Sequence, residues 1–217
     1  MDNITYFCIL LMIALSSEIY YIDEDATIIV EEINIEEEMK KAEIVPDVVP
    51  RGPKKLLRVQ FPQERDLIPG QRLFYSQIIM QPEFFYDDYE SETYYTMYMT
   101  RLTRYADTQE HFKIDPFYNL TYGRDELGFW IIINMWENNT LNGRTLVEYE
   151  TPLDPYDRRT CDRFAFFVFK QKYEITELPE PEERSIYLYG ELPKTAAFAK
   201  KYDLGDPLYG NYFVNHW

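Results

Sequence analysis

The sequence predicts a mostly β domain with short helices, and two observations lead to this prediction. Aromatic residues make up 17% of the 217-residue chain, with 20 Tyr and 14 Phe, and such side chains favour strands. Runs rich in β-branched and aromatic residues also recur along the chain, each bounded by Pro, Gly, Asn or Asp. A chain of this length forms one domain, or one domain with a tail.

Residues 1–17 resemble a signal peptide. Residues 6–15 are apolar apart from Cys8, and the small residues Ser16 and Ser17 follow, which predicts cleavage near them and secretion. The run is too short to span a bilayer. No Lys or Arg precedes it, so the alternative is a buried strand or helix at the start of the domain.

Secretion would have two chemical consequences. Asn119 and Asn138 begin the sequons "NLT" and "NNT", so we expect glycosylation at these positions in the secretory route. Cleavage would also remove Cys8 and leave Cys161 as a free thiol, or as a small buried apolar residue, without an internal disulfide.

Residues 18–38 form an acidic segment before the domain proper, which we expect to span residues 39–217. Between Glu18 and Glu43 there are ten acidic residues and two lysines, and like charges at this density disfavour compact packing. The segment is interpreted as a partly ordered acidic arm. Its stretch "ATIIVEEINI" has enough β-branched residues to add an edge strand.

The composition excludes several classes of function. A net charge of −16 argues against nucleic acid and anionic membranes as partners. Only two histidines are present, which leaves no zinc cluster and no Cys-His nucleophile pair. No Gly-rich phosphate loop occurs among the eight glycines. We therefore expect a protein that is not an enzyme and needs no cofactor or metal.

Strands account for most of the domain. The expected strands are "KKLLRVQF", "YSQIIM", "TYYTMYMT", "FWIIINM" and "FAFFVFK". In the last of these, apolar side chains occupy both faces from Phe164 to Phe169, which predicts a central strand covered on both sides.

The segment "ELPKTAAFAKKYDLGDP" predicts a helix. Pro193 suits the first helical turn, and Lys200 and Lys201 lie near the negative C-terminal end. Gly205 supplies a stop. The stretch "LYGNYFVNHW" then predicts a closing strand.

Five ordered segments resemble the phosphatidylethanolamine-binding proteins of animals, from Met39 to Trp217. These are "AEIVPDVVPRGPKKLLRVQF", "YYTMYMT", "GFWIIINMWENNTLNGRTLVEY", "CDRFAFFVFKQ" and "AFAKKYDLGDPLYGNYFVNHW". The resemblance implies a two-sheet β fold with short helices and a small cavity for phosphate-bearing head groups or other anions. Members of the family act as lipid binders, kinase modulators and protease inhibitors, without conventional catalysis.

The residues at the implied anion site differ from the family pattern. Arg101 and Thr103 stand where the ligand loop of the family has its two Asp residues. The paired histidines become Gly128 and Phe129, and Asp162 replaces the histidine of the Gly-x-His-Arg strand. We expect Arg101 and Asp162 to pair inside the old anion site, since each charge buried alone would be costly. The alternative is that both point to solvent as loop charges.

Arg163 is kept from the family pattern, whereas the tyrosine that follows it becomes Phe164. With Phe129 and Trp130, Phe164 would line an apolar pocket in place of an anionic one; for Trp130 the alternative is ordinary core packing. The sequence therefore predicts a secreted, non-catalytic protein with a degenerate head-group site that binds a lipid or another small apolar ligand. The second hypothesis is an interaction module with a vestigial pocket, such as a protease inhibitor or part of an assembly, whose partner is a protein.

Overall fold

The structure is a computed structural model that describes residues 18–22, 28–62, 64–105, 126–137, 139–149, 151–152, 160–177 and 194–216. The chain divides into two compact units, Met1–Ile33 and Asn34–Trp217. In the first unit, β1 (Glu18–Ile22) pairs antiparallel with β2 (Ile28–Glu32). The β-branched stretch of the acidic arm thus forms a strand of a separate two-stranded sheet.

The second unit begins with a helix, α1 (Ile35–Lys41). The side chain of Asn34 caps it by accepting a hydrogen bond of 3.2 Å from the backbone N–H of Glu37, as cap residues do. Ile35 and Met39 are fully buried. The boundary expected after residue 38 therefore falls inside α1, and this compact unit starts at Asn34.

A seven-stranded sheet forms the centre of the second unit. Its strands are β3 (Lys55–Leu56), β5 (Gln71–Leu73), β7 (Tyr94–Tyr105), β8 (Glu126–Trp136), β9 (Arg144–Val147), β10 (Thr160–Lys170) and β11 (Tyr209–His216). The order is β3-β11-β10-β7-β8-β9, and β5 also pairs with β11. A small separate sheet joins β4 (Arg58–Gln60) to β6 (Glu83–Phe85), and a second helix, α2, spans Thr195–Lys201.

The two faces of the large sheet are covered by different elements. One core cluster packs Phe167 of β10 with Ile35 of α1 and Phe198 of α2. The other packs Phe166 of β10 with Val59 of β4 and Phe84 of β6; we call this side the small-sheet face. Side chains alternate between the faces along β10, so the prediction of a central strand covered on both sides is confirmed. The predicted two-sheet, mostly β fold with short helices is also confirmed.

The stretch "YSQIIM" is not a strand, so this prediction is wrong. Tyr75–Gln77 form a 3-10 turn, because the Gln77 side chain accepts a hydrogen bond of 2.8 Å from the Phe74 N–H. Ile78 is fully buried, whereas Ile79 and Met80 are 47% and 62% exposed. The apolar residues of this stretch therefore do not form one buried face of a strand.

The predicted helix is present as α2, although Pro193 lies outside the described residues. The Glu126 carboxylate of β8 accepts a hydrogen bond of 2.6 Å from the Thr195 N–H at the start of α2. The helix ends at Lys201, and Gly205 follows with a φ of +74°. Glycine adopts this left-handed conformation at little cost. The closing strand is β11, as predicted.

Candidate degenerate anion site

Strand register brings together, at one end of the small-sheet face, residues that differ from the family pattern. β10 pairs with β7, so that Phe164 lies opposite Arg101 and Asp162 lies opposite Thr103. Residues that pair directly across strands share a face. Arg101 is therefore diagonal to Asp162, within reach of a long side chain.

Arg101 and Asp162 form an ion pair. The distance from Arg101 Nη2 to Asp162 Oδ2 is 2.6 Å, with the Asp162 side chain fully buried and that of Arg101 17% exposed. This confirms the predicted pairing and excludes the alternative of two solvated loop charges. The Asp162 carboxylate thus competes with any anion for the Arg101 guanidinium, because carboxylates and phosphates prefer the same planar fork of donors.

Aromatic rings surround this ion pair on the same face. Phe129 meets Phe164 edge-on with ring centroids 5.3 Å apart, and Phe164 stacks on Phe213 at 4.9 Å. Phe129 reaches this face through a bulge, since Met99 pairs with Trp130 and Thr100 pairs with Gly128. The extra residue at a bulge re-aims its side chain, and Phe129 remains only partly buried.

Two predicted pocket residues do not join the ion pair. Trp130 is 2% exposed and packs against Phe84 and Tyr149, which matches the core-packing alternative. Arg163 lies on the opposite face, where its guanidinium donates to the Ala42 carbonyl after α1. Its contacts indicate that Arg163 holds β10 to the helix side of the sheet.

Other predicted positions are described in part or not at all. The backbone of Thr103 lies opposite Asp162, but its side chain is outside the described residues, as is that of Cys161. Asn119, Asn138 and residues 1–17 also lie outside the described residues. Glycosylation, signal cleavage and the state of the thiol therefore remain predictions.

Asn215 belongs to this cluster and was missed by the sequence analysis. It lies directly opposite Asp162 on β11 and is fully buried. A period-two signal could have found it, because Asn215 falls on the same face as Phe213.

A separate cavity of about 560 Å³ lies at the other end of the large sheet. It lies beside the paired start of β7 and end of β8, at Tyr94 and Trp136, and its lining includes Asn134 and Arg144. None of the predicted site residues contributes to it.

No group of three His, Cys, Asp or Glu residues in the described ranges could hold a metal ion. Within the same ranges, no helix has the length and apolar character needed to cross a membrane.

Comparison with known proteins connects this architecture to others. No family model matches the chain. The putative odorant-binding protein A5 of Drosophila melanogaster is 25% identical over 190 residues, covering 85% of this chain and 81% of that protein. The 26 kDa secreted antigen of Toxocara canis is 27% identical over 175 residues, covering 78% of this chain and 60% of the antigen.

Two solved structures share the arrangement of strands. The carboxypeptidase Y inhibitor, complexed with its cognate proteinase, superposes with a TM-score of 0.61 at 20% identity, covering 83% of this chain and 93% of the inhibitor. A phosphatidylethanolamine-binding protein from Plasmodium falciparum gives 0.57 at 18% identity, covering 83% and 96%. The chain has the phosphatidylethanolamine-binding-protein fold. The resemblance seen in the sequence is thereby confirmed for the fold. Within this fold, the chain carries the Arg101–Asp162 ion pair.

Proposed function

We propose that this chain is a secreted, non-catalytic binding protein whose degenerate anion site accepts a lipid or another small apolar ligand. The observation that carries the proposal is the ion pair of 2.6 Å between Arg101 and Asp162. The pair removes the free cationic group that a phosphate needs, while the surrounding phenylalanines remain.

Electrostatic repulsion should make phosphate binding weak. An incoming phosphate would have to displace the Asp162 carboxylate from Arg101 and would meet the negative charge of that carboxylate at close range. We therefore expect inorganic phosphate and phosphatidylethanolamine head groups to bind with dissociation constants in the millimolar range, about 4 kcal/mol, or not at all.

The aromatic rings support an apolar ligand. Phe164 and Phe213 are fully buried, whereas Phe129 keeps part of its ring surface exposed beside them. Small-molecule sites are mostly apolar with a few placed polar groups, and this cluster has that composition.

The relatives support secretion and a binding role. One is named a putative odorant-binding protein and the other a secreted antigen. These names describe those proteins, and for this chain they agree with the signal-like sequence of residues 1–17. Secretion here remains part of the proposal.

Native mass spectrometry of the protein purified from a eukaryotic secretory host tests the proposal. We expect a small apolar molecule bound at one per chain, and calorimetry with inorganic phosphate should show no micromolar binding. The control is the double exchange Arg101→Asp with Asp162→His, which should restore some anion binding. Micromolar binding of phosphate by the unmodified protein would contradict the lost anion site.

A second candidate function is an interaction module, such as a protease inhibitor. The observation that favours it is a run of exposed apolar side chains after β5, where Phe74 and Tyr75 are 70% and 41% exposed and Met80 is 62% exposed. Exposed apolar patches mark binding surfaces, and one structural neighbour is an inhibitor in complex with its proteinase.

The variant Phe74→Ser with Met80→Ser separates this candidate from the first. It should abolish capture of a protein partner while leaving the bound small molecule in place. Retention of the partner by the variant would contradict a role for this surface.

A further inference from the structure

The Asn215 side chain lies buried beside Asp162, on the β5 side of the degenerate site. Its side chain is fully buried, and within the described ranges neither Oδ1 nor Nδ2 has a partner. The residue lies between Asp162 on β10 and Leu73 on β5. Buried polar groups are almost always hydrogen-bonded, so an amide with two unmet groups requires an explanation.

Asn211 on the same strand shows what a structural asparagine looks like here. It is also fully buried, but its Nδ2 donates to the carbonyls of Leu57 and Leu67 at 2.9 and 3.0 Å. Its Oδ1 accepts from the Tyr212 N–H at 2.8 Å. Asn211 therefore ties neighbouring segments together, and Asn215 does not share that role.

A second donor without a partner in the described part of the chain belongs to Arg101. Arg101 Nε is buried without a hydrogen-bond partner in the described part of the chain, although Nη2 of the same side chain is bound to Asp162. Arg101 on β7 and Asn215 on β11 flank Asp162 on its two sides. In the described part of the chain, Asn215 thus has an unmet donor, Nδ2, and an unmet acceptor, Oδ1, and Arg101 has an unmet donor, Nε.

We propose that Asn215 determines the ligand class: the site takes a neutral group that both donates and accepts hydrogen bonds, on an apolar body. Hydroxyl and carboxamide groups have this chemistry. The inference rests on the proposed binding function and adds to it a residue and a ligand class.

The surroundings of Asn215 select against charged head groups. An anion would lie beside the Asp162 carboxylate and the Oδ1 atom of Asn215, and a cation would lie beside the guanidinium of Arg101. A neutral donor and acceptor meets neither repulsion, and it satisfies groups that are otherwise left unmet on burial. Phe164 and Phe213, stacked beside Asn215, would contact the apolar body.

A head-group series on the unmodified protein tests the ligand class. The probes are 1-octanol, which donates and accepts, methyl octyl ether, which only accepts, and octyl phosphate, which is anionic. Affinities are measured by displacement of N-phenyl-1-naphthylamine fluorescence. We expect 1-octanol to bind about tenfold more tightly than either other probe, the effect of about one hydrogen bond.

The variant Asn215→Leu tests the residue, with Asn211→Leu as the matched control. Asn215→Leu should raise the melting temperature, because it removes two unmet polar groups, and should equalise the affinities of the alcohol and the ether. Asn211→Leu should lower the melting temperature, because it breaks three hydrogen bonds, and should keep the preference for the alcohol.

Three results would overturn the inference, and they differ from a failure of the proposed function. Equal affinity for all three probes would show that Asn215 meets only an ordered water, and a preference for octyl phosphate would show an anion site. Loss of stability in Asn215→Leu would show a structural asparagine. If none of the probes binds, the proposed function fails together with the inference.

Discussion

At the scale of single residues, Arg101 and Asp162 neutralise each other inside the fold. Asp162 is fully buried and the Arg101 side chain is 17% exposed, and each charge is tolerable there because the other is present. A buried pair of this kind costs solvation on both sides, so it contributes little net stability while making each partner hard to remove alone.

A double-mutant cycle of Arg101→Met and Asp162→Leu measures this dependence. Each single change should lower the free energy of unfolding by about 3–5 kcal/mol, because it leaves one buried charge uncompensated, and the double variant should lie close to the parent. The larger loss is expected for Arg101→Met, since Asp162 is the more buried partner. Urea denaturation provides the free energies, and additive single effects would contradict the coupling.

Glu126 gives a pH dependence at the level of one carboxyl. Burial raises its pKa above the ordinary value, although hydrogen bonds from Thr195 and Thr100 oppose the rise. The folded protein then holds this proton more tightly than the unfolded chain, so stability decreases as pH rises from the unfolded pKa, about 4.3, towards the folded one.

The variant Glu126→Gln should therefore gain stability relative to the parent between pH 5 and pH 8. Urea midpoints of both proteins at the two pH values measure this gain, and Glu174→Gln, which removes an exposed carboxylate, controls for the loss of one charge. A relative loss with rising pH would show that the ionised carboxylate stabilises the start of α2.

At the scale of elements, hydrophobic periodicity predicted the strand that is fixed by core packing. It did not predict the turn that is fixed by a local hydrogen bond. The two apolar faces of β10 were readable because alternate residues enter different cores. The turn at Tyr75–Gln77 was not readable, since it depends on a side-chain bond from Gln77 to the backbone. The helix α1 was hidden by its glutamates, although its buried Ile35 and Met39 have helical spacing.

Truncation tests where the domain begins. Deletion of residues 1–38 removes Ile35 and the first turn of α1, whereas deletion of residues 1–33 keeps them. Loss of a buried isoleucine costs about 2–5 kcal/mol, which corresponds to about 5–15 °C in melting temperature for a domain of this size. The longer deletion should melt lower than the shorter one by this amount in calorimetry.

Ile35→Ala in the full-length chain is the matched control and should reproduce much of the difference. Equal melting temperatures for the two deletions would place the boundary after residue 38, as the acidic composition suggested.

At the scale of the whole molecule, the sequence reached the candidate site through alignment and register, and stopped where the tertiary environment decides. Arg101 and Asp162 could be paired in advance because the resemblance placed both at one cavity. Trp130 could not be assigned, since its burial against Phe84 and Tyr149 depends on the small sheet and a later loop. The Asn215 amide is unmet because the described neighbours place no hydrogen-bond partner next to it. A sequence pattern does not contain this information.

The net negative charge of the whole chain also affects its stability. With 38 acidic and 22 basic residues, sixteen negative charges remain without a basic counterpart, and they repel one another in the compact state. Exposed ion pairs such as Lys55–Asp88, at 2.6 Å, oppose this with about 0.2–1 kcal/mol each. Salt screens both effects, so the response of stability to salt shows which is larger.

Raising sodium chloride from 10 to 150 mM should increase the melting temperature by a few degrees, because the Debye length falls from about 30 to about 8 Å and screens the excess repulsion. The variant Lys55→Gln with Lys170→Gln carries two fewer positive charges and lacks the ion pairs to Asp88 and Glu90. Its increase with salt should be larger than that of the parent, since more repulsion is available to screen. A melting temperature that falls with salt, and falls less in the variant, would show that the exposed ion pairs outweigh the net charge.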